Sequence, residues 1–453
     1  MRSKGEQMSL FDIYQGVEEA LENDQPELFR LLDEHIDWYE IIPDAFFDAF
    51  YKRTGREREY DLESFLRALF LQDVFHYVED TQLLNTLRFS WEMRRFCRFK
   101  KVPDASKLTR FKQDFCEHIR QVFERLVELT EPICREMDEA LADILIKDTT
   151  GIVAYVAENN PKRLKPTGPD VAASNPQVKR QYINGYFCYA HRAAILTNGL
   201  GIVRHLELLD DDFRAKHPEL PKEKREKSPE IDKEVGDSTA LKPVLLDFRA
   251  AHPTFRYGTF AGDAAFDSYD NYTFLLKEYG FEKALIPINP RNSSPHDNEN
   301  FNESGTPLCP RTGEPFKPRG ICGGKHRSVR LKFVCPGSKK SGNTRRCACE
   351  SPCTSSKYGK CVYVYPDKNL RLYPGISRDD PDFIAIYKHR TAVERTISSF
   401  KQSLCLQGRK TSNSLTTKAD LFLAGISQLL CVLLAAKIHC PSFARRPRLL
   451  LAA

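Results

Sequence analysis

The chain lacks the signatures of several common enzyme classes. Its 453 residues contain no Gly-rich phosphate loop and no dinucleotide fingerprint, which argues against a nucleotide-dependent small-molecule enzyme. The most apolar stretch, Leu421 to Ala436, includes Gly425, Ser427 and Gln428 and falls short of the roughly 20 residues a bilayer requires. It reads as the buried closing helix of a catalytic core, not a membrane span. The opening residues are polar and lead into an acidic helix over residues 8–36, so no signal peptide is expected and a cytoplasmic setting is. There is no internal repeat. None of the 14 cysteines forms a Cys-x2-Cys pair.

The net charge of +6 says little, but its distribution says more. Residues 1–50 carry 13 acidic against three basic side chains. Between Cys309 and Cys361, 13 Lys and Arg face only Glu314 and Glu350, a net +11. Such focusing suits a surface that binds a polyanion. Seven cysteines share that stretch: Cys309, Cys322, Cys335, Cys347, Cys349, Cys353 and Cys361. In a reducing interior, clustered thiols read as metal ligands before disulfides. With His326 they suggest one or two tetrahedral Zn²⁺ sites. The competing reading is an unordered basic loop with incidental cysteines, since Gly, Pro, Ser and Lys are abundant there.

The most informative pattern is Tyr387-x2-Arg390-x3-Glu394-x6-Lys401. Asp380 and Pro381 can start a helix there, and Gly408 can stop it. At about 100° per residue, the four side chains fall within a stripe about 60° wide. Arg390 also lies one turn from Glu394 and can simply pair with it. Two aspartates upstream sit beside apolar strands. Asp148 closes the strand Ile144–Ile146 before a Thr-Gly turn, with a second strand at Ile152–Val156. Asp263 follows another strand within Gly262-Asp263-Ala264-Ala265-Phe266-Asp267-Ser268, where Asp267 reads as a helix cap. Acidic residues at adjacent strand ends, joined by a Glu from a late helix, can converge on a pair of divalent cations.

These three blocks resemble the catalytic blocks of bacterial insertion-sequence transposases of the DDE type, including their Y-R-E-K signature. The N-terminal part, with Tyr60-Asp61-Leu62, Phe65 to Gln72 and Val102 to Phe111, is similar to the InsH-type helical domain of the same enzymes. The resemblance covers roughly residues 30 to 435. It implies an α/β catalytic core of RNase H-like fold, a mixed sheet flanked by helices, preceded by an all-α domain and interrupted by the Cys-rich basic insert. It implies Asp148, Asp263 and Glu394 as catalytic metal ligands for Mg²⁺ (or Mn²⁺). It gives Tyr387, Arg390 and Lys401 to DNA phosphates. The partners implied are double-stranded DNA, both element ends and target, bound by a homodimer, with no membrane, in the bacterial cytoplasm near the nucleoid. Ala265-Phe266 departs from the Gly and Tyr frequent at those positions.

The expected organisation is a helical DNA-binding domain over 1–138, catalytic segments over 139–290 and 363–440, the insert over 291–362, and a basic tail over 441–453. Ser90 and Asp104 are expected helix caps. Arg94 to Lys101, basic with interleaved aromatics, reads either as a groove-entering stretch or as a surface helix end. The activity expected is cleavage of element ends and their joining to target DNA. The alternatives are an RNase H-like nuclease without strand transfer, and a domesticated, non-catalytic DNA-binding protein.

Overall fold

The computed structural model describes residues 14, 26–52, 57–162, 168–183, 185–220, 235–289, 301–302, 306–324, 327–342, 344–365 and 370–445. Most of the expected acidic helix over 8–36, His326, and the basic tail from Arg446 lie outside the described residues. The chain divides into two compact units. One is helical and comprises Met1–Ile133, Val153–Ala157 and Ser398–Ala453; the other comprises Cys134–Ile152 and Glu158–Ile397.

The helical unit begins with α1 (Glu27–His35), α2 (Trp38–Ile41) and α3 (Asp44–Phe50). It continues through α4 (Leu62–Val74), α5 (Asp80–Phe89), α6 (Trp91–Phe96), α7 (Ala105–Asp114) and the start of α8 (Cys116–Met137). The caps expected from sequence are present. The Ser90 hydroxyl accepts from the Met93 amide at 3.2 Å, and the Asp104 carboxylate from the Lys107 amide at 3.3 Å. Each satisfies an amide that the first helical turn leaves unpaired. In the stretch after Ser90, Phe96 and Phe99 are buried in the core, and Arg98 donates to Glu63 at 2.9 Å. Those aromatics are packed, which favours the helix-end reading.

The late apolar helix also belongs to this unit. It runs over Ser414–Lys437 and is by length and composition apolar enough to cross a membrane, yet 94% of its most apolar stretch is buried inside the protein. Sequence analysis assigned it to the catalytic core; the structure packs it on α1, α4 and α7 instead. Polar anchors fix that choice. Lys112 donates to Asp420 at 3.2 Å, Ser427 donates to Asp73 at 2.8 Å, and Arg409 pairs with Asp73. Burial works against the Arg409 charge, but Asp420 and Asp73 outweigh it and hold the guanidinium protonated.

The second unit is built on a mixed sheet. Its strands are β1 (Ile144–Val153), β2 (Val171–Ala172), β3 (Asn175–Ile183), β4 (Tyr186–Asn198), β5 (Val203–Leu208), β6 (Thr259–Ala261) and β7 (Lys283–Leu285). The order is β2-β3-β4-β1-β6-β7, with β5 also paired to β4. β1 pairs parallel with β6, and β6 parallel with β7, whereas β3 and β5 run antiparallel to β4. A helix over Leu241–Ala251 contributes Leu241, Val244, Leu245 and Phe248 to a core with Leu145, Ala194, Phe260, Phe266 and Tyr272.

Two expectations change here. β1 is one continuous strand, so Asp148 lies within it and no turn forms at Gly151. A Cβ at Gly151 would meet the Ile183 side chain at 2.0 Å, so glycine serves close strand packing rather than a turn. Nor does Asp267 cap a helix; Ser268 does, accepting from the Asn271 amide at 3.2 Å. Asp267 is fully buried, pairs with Arg371 at 2.8 Å and accepts from the Tyr272 hydroxyl at 3.0 Å.

The insert has its own order. The strands β8 (Lys317–Gly324), β9 (Arg327–Val334) and β12 (Cys361–Val364) form an antiparallel sheet, and β10 (Ser338–Ser341) and β11 (Thr344–Cys347) a hairpin. A small cluster of Cys309, Phe316, Phe333, Cys335, Val364 and Leu372 supports it. The described part is therefore a folded module with an apolar centre of its own, not an unordered loop.

Arg409→Met would leave the buried Asp73 carboxylate without its guanidinium. The expected loss is about 3–5 kcal/mol of helical-unit stability, the usual penalty for breaking a buried pair. Both tryptophans, Trp38 and Trp91, lie in this unit, so fluorescence during urea unfolding reads it directly. A loss below about 1 kcal/mol, the range of an exposed pair, would show that the pair is not a tether.

Candidate active site

The register of β1 against β6 builds the site. Ile146 lies opposite Ala261. Two residues past this pair come Asp148, still within β1, and Asp263, just beyond the end of β6, and the two carboxyls interact electrostatically. Each is oriented by a nearby amide. Thr149 N–H donates to Asp148 at 2.8 Å, and Ala265 N–H donates to Asp263 at 2.9 Å. Asp263 thereby caps the short 3₁₀ turn Ala264–Phe266.

Both carboxyls are perturbed. Burial pushes Asp148 up to about 6, and the charges of Asp263 and Asp237 add to the shift against the Thr149 amide and Arg390. Burial also raises Asp263, with Asp237 adding and the Ala265 amide, Arg390 and Lys147 opposing. Lys147, next to Asp148, is buried over the Phe266 ring at 4.8 Å. Desolvation lowers its ammonium to about 8, although Asp237, Asp148 and Asp263 all pull the other way. Like-charged carboxyls gathered in a cleft are a recognised mark of a functional site.

The Tyr-Arg-Glu block supplies the other side. Sequence analysis expects one helix from Asp380; the structure divides it into α-helix Pro381–Tyr387, a 3₁₀ turn Lys388–Arg390, and α-helix Thr391–Gln402. Asp380 caps the first piece, accepting from the Asp382 amide at 2.9 Å. The Thr391 hydroxyl donates to the Lys388 carbonyl at 3.1 Å, a local bond that competes with the helical ladder. The guanidinium of Arg390 lies 5.9 Å from the Tyr387 ring and donates to Glu394 at 2.6 Å. It also interacts electrostatically with Asp148 and Asp263. Thr396 donates to the Gly201 carbonyl at 2.6 Å, anchoring this helix to the β4–β5 turn.

Five of the six residues singled out, Asp148, Asp263, Tyr387, Arg390 and Glu394, thus belong to one electrostatic neighbourhood. Lys401 lies in the last turn of the same helix, within the stretch from Ser398 that belongs to the helical unit. Sequence reading missed Asp237, Lys147 and Arg192. Asp237 has no motif around it. Lys147 and Arg192 read as ordinary strand residues.

The seven cysteines do not share one place. Cys309 and Cys335 are in the apolar cluster of the insert, and Cys361 opens β12 opposite Val334. The Cys349 thiol, pushed up to about 11, interacts with those of Cys347 and Cys335. Among the described residues, no three or more His, Cys, Asp or Glu are gathered closely enough to hold a metal ion. That holds for the Asp148–Asp263–Glu394 trio, where Arg390 engages the Glu, as well as for the thiols.

Residues 17–114 match the family model described as Transposase domain (DUF772), which supports a transposase. The cryo-EM structure of a piggyBac transposase synaptic complex with hairpin DNA is similar at 13% identity and a TM-score of 0.38, covering 95% of this chain and 81% of that one. No curated protein matches the sequence.

The raised Asp148 carboxyl carries a stability consequence. A carboxyl raised on folding stabilises fully below its unfolded pKa, about 4, and that contribution is lost as pH rises through about 6. Asp148→Asn removes the charge. It is expected to stabilise the cation-free α/β unit by about 2 kcal/mol at pH 7.5, with little gain at pH 4. Denaturant unfolding followed by circular dichroism at the two pH values checks this. An equal effect at both would show that the buried charge of Asp148 is not what destabilises the unit.

Proposed function

We propose that the chain is a DDE-type DNA transposase whose active site is Asp148, Asp263 and Glu394. The observation that carries this reading is the approach of Asp148 on β1 and Asp263 just after β6, two carboxyls that interact with each other and with Arg390, itself paired to Glu394. An RNase H-like core is supported by the order β5-β4-β1-β6-β7, with β1, β6 and β7 parallel and β5 antiparallel to β4.

The carboxylates suit a hard divalent cation. Oxygen ligands are what Mg²⁺ and Mn²⁺ prefer, and a cation would relieve the mutual repulsion of Asp148 and Asp263. When bound, Mg²⁺ supplies Lewis acidity at a phosphodiester and makes an attacking oxygen more nucleophilic at neutral pH. Asp148 and Asp263 would hold it, and Glu394 would join them on leaving Arg390. Arg390, once released, presents a planar guanidinium suited to phosphate oxygens. Lys401 offers a point charge further along the helix, and the Tyr387 phenol donates a hydrogen bond. In this reading, water opens the phosphodiester at each element end and frees a 3′-hydroxyl, which then attacks a target phosphodiester. Joining two ends to one target calls for a homodimer on double-stranded DNA.

For the insert the reading is one or two Zn²⁺ ions held by thiols drawn from Cys309, Cys322, Cys335, Cys347, Cys349, Cys353 and Cys361, among which Cys335, Cys347 and Cys349 interact. An ion would draw them together and brace the basic hairpin β10–β11.

Asp148→Asn, Asp263→Asn and Glu394→Gln each remove a ligand charge and keep the volume. Each is expected to abolish cleavage of DNA bearing the element ends while leaving the fold and end binding intact. Cleavage at the wild-type rate by any one removes that residue from the site, and cleavage without joining favours the nuclease alternative. Elemental analysis of protein purified without chelator is expected to give about one or two zinc ions per chain; less than about half an equivalent rejects the zinc reading.

A further inference from the structure

Asp237, just before the Leu241–Ala251 helix, occupies an unusual position. Its carboxylate accepts from the Thr149 hydroxyl and from the guanidinium of Arg192 on β4. Arg192 also reaches the Thr149 hydroxyl at 3.4 Å. The Asp237 backbone carbonyl accepts from the Lys147 ammonium at 3.3 Å. Lys147 and Thr149 flank Asp148 on β1. Along a strand, residues two apart share one face, and the residue between them faces the other way. One residue therefore grips both neighbours of Asp148 from behind.

The grip extends to the second aspartate. The Ser238 hydroxyl accepts from the Asn271 side chain at 2.8 Å, and that same amide donates to the Phe266 carbonyl at 2.9 Å. Phe266 ends the turn that Asp263 caps. The Asp237-Ser238 pair thus ties β1, β4 and the Asp263 turn to one another. Electrostatically it sits where both site carboxyls feel it, and it balances Arg192 and the buried Lys147.

We infer that Asp237 is a positioning residue that acts through Thr149, fixing the amide that orients Asp148 and hence the angle at which Asp148 meets a divalent cation beside Asp263. This rests on the proposed active site. The amide of Thr149 can hold Asp148 only if Thr149 itself is held, and its hydroxyl is the handle. Supporting partners of this kind set ligand direction and tune affinity without touching the reacting atoms.

The test compares Asp237→Asn, Thr149→Val and Thr149→Ser with wild type and Asp148→Asn. Thr149→Val keeps shape and loses the hydroxyl; Thr149→Ser keeps the hydroxyl. Two quantities are read: Mn²⁺ affinity by electron paramagnetic resonance titration, and kcat and KM for cleavage of end DNA. Asp237→Asn and Thr149→Val are expected to weaken Mn²⁺ binding and lower kcat, each about 10–100-fold, with KM for DNA unchanged. Thr149→Ser should stay within about threefold of wild type, which a purely steric role for Thr149 would not require. Should Asp237→Asn fail to fold, the Thr149 pair decides. Wild-type affinity and kcat in Thr149→Val, with Asp148→Asn inactive, overturns the positioning role alone. If Asp148→Asn binds Mn²⁺ and cleaves like wild type, the site itself is misassigned and the inference falls with it.

Discussion

The parallel ladder between β1 and β6 is the constraint on which the rest of the α/β unit depends. Ile144, Leu145 and Ile146 pair with Thr259, Phe260 and Ala261, and this register brings Asp148 on β1 close to Asp263 just after β6. A slip of one residue would turn one of them to the opposite face. The pairing is held by Leu145 and Phe260, one from each strand, which pack into a core with the Leu241–Ala251 helix and Phe266. Hydrophobic burial thus holds in place two charges that repel each other. Arg390 and Lys147 oppose that repulsion, one from the 3₁₀ turn before the Thr391–Gln402 helix and one from β1 itself.

Buried ion pairs recur as long-range ties. Asp267 and Arg371 are 104 positions apart and fully shielded, and they fasten the segment after the insert to the turn after Asp263. Arg378 continues the tie by donating to the Tyr272 hydroxyl at 2.7 Å. In the helical unit, Asp73 and Arg409 are 336 positions apart. Such pairs add little net stability over apolar substitutes, but breaking one is costly. They select one arrangement of distant segments over others. Both ties flank the excursion through the insert, after which the chain must return in register.

Part of the candidate site's geometry was legible because it is local. The Arg390–Glu394 pair follows from a spacing of one turn, although the chain there breaks into two α-helices joined by a 3₁₀ turn, and the caps Ser90, Asp104 and Asp380 announce themselves by residue type. Arg390 makes the pair with Glu394 that the spacing allowed. The misses have a common cause: they depend on contacts far away in sequence. Gly151 looked like a turn because its partner, Ile183, is more than thirty residues on. Asp267 looked like a cap because Arg371 lies beyond the insert. The Leu421–Ala436 run looked like core closure, but Asp420 and Ser427, small polar marks on an apolar helix, match Lys112 and Asp73 of the N-terminal helices. Asp237 carried no motif, since a residue that grips the back of a strand needs only its charge and its place.

The central claim is that Asp148 and Asp263 share one divalent-cation site. Fe²⁺ substituted for Mg²⁺, with ascorbate and peroxide, generates hydroxyl radicals at the ion and cuts the backbone nearest to it. The account predicts cuts clustered around Asp148 on β1 and around Asp263 after β6, suppressed by excess Mg²⁺ and lost in Asp148→Asn. Cuts confined to the Cys-rich insert, or unchanged cutting in Asp148→Asn, would contradict it.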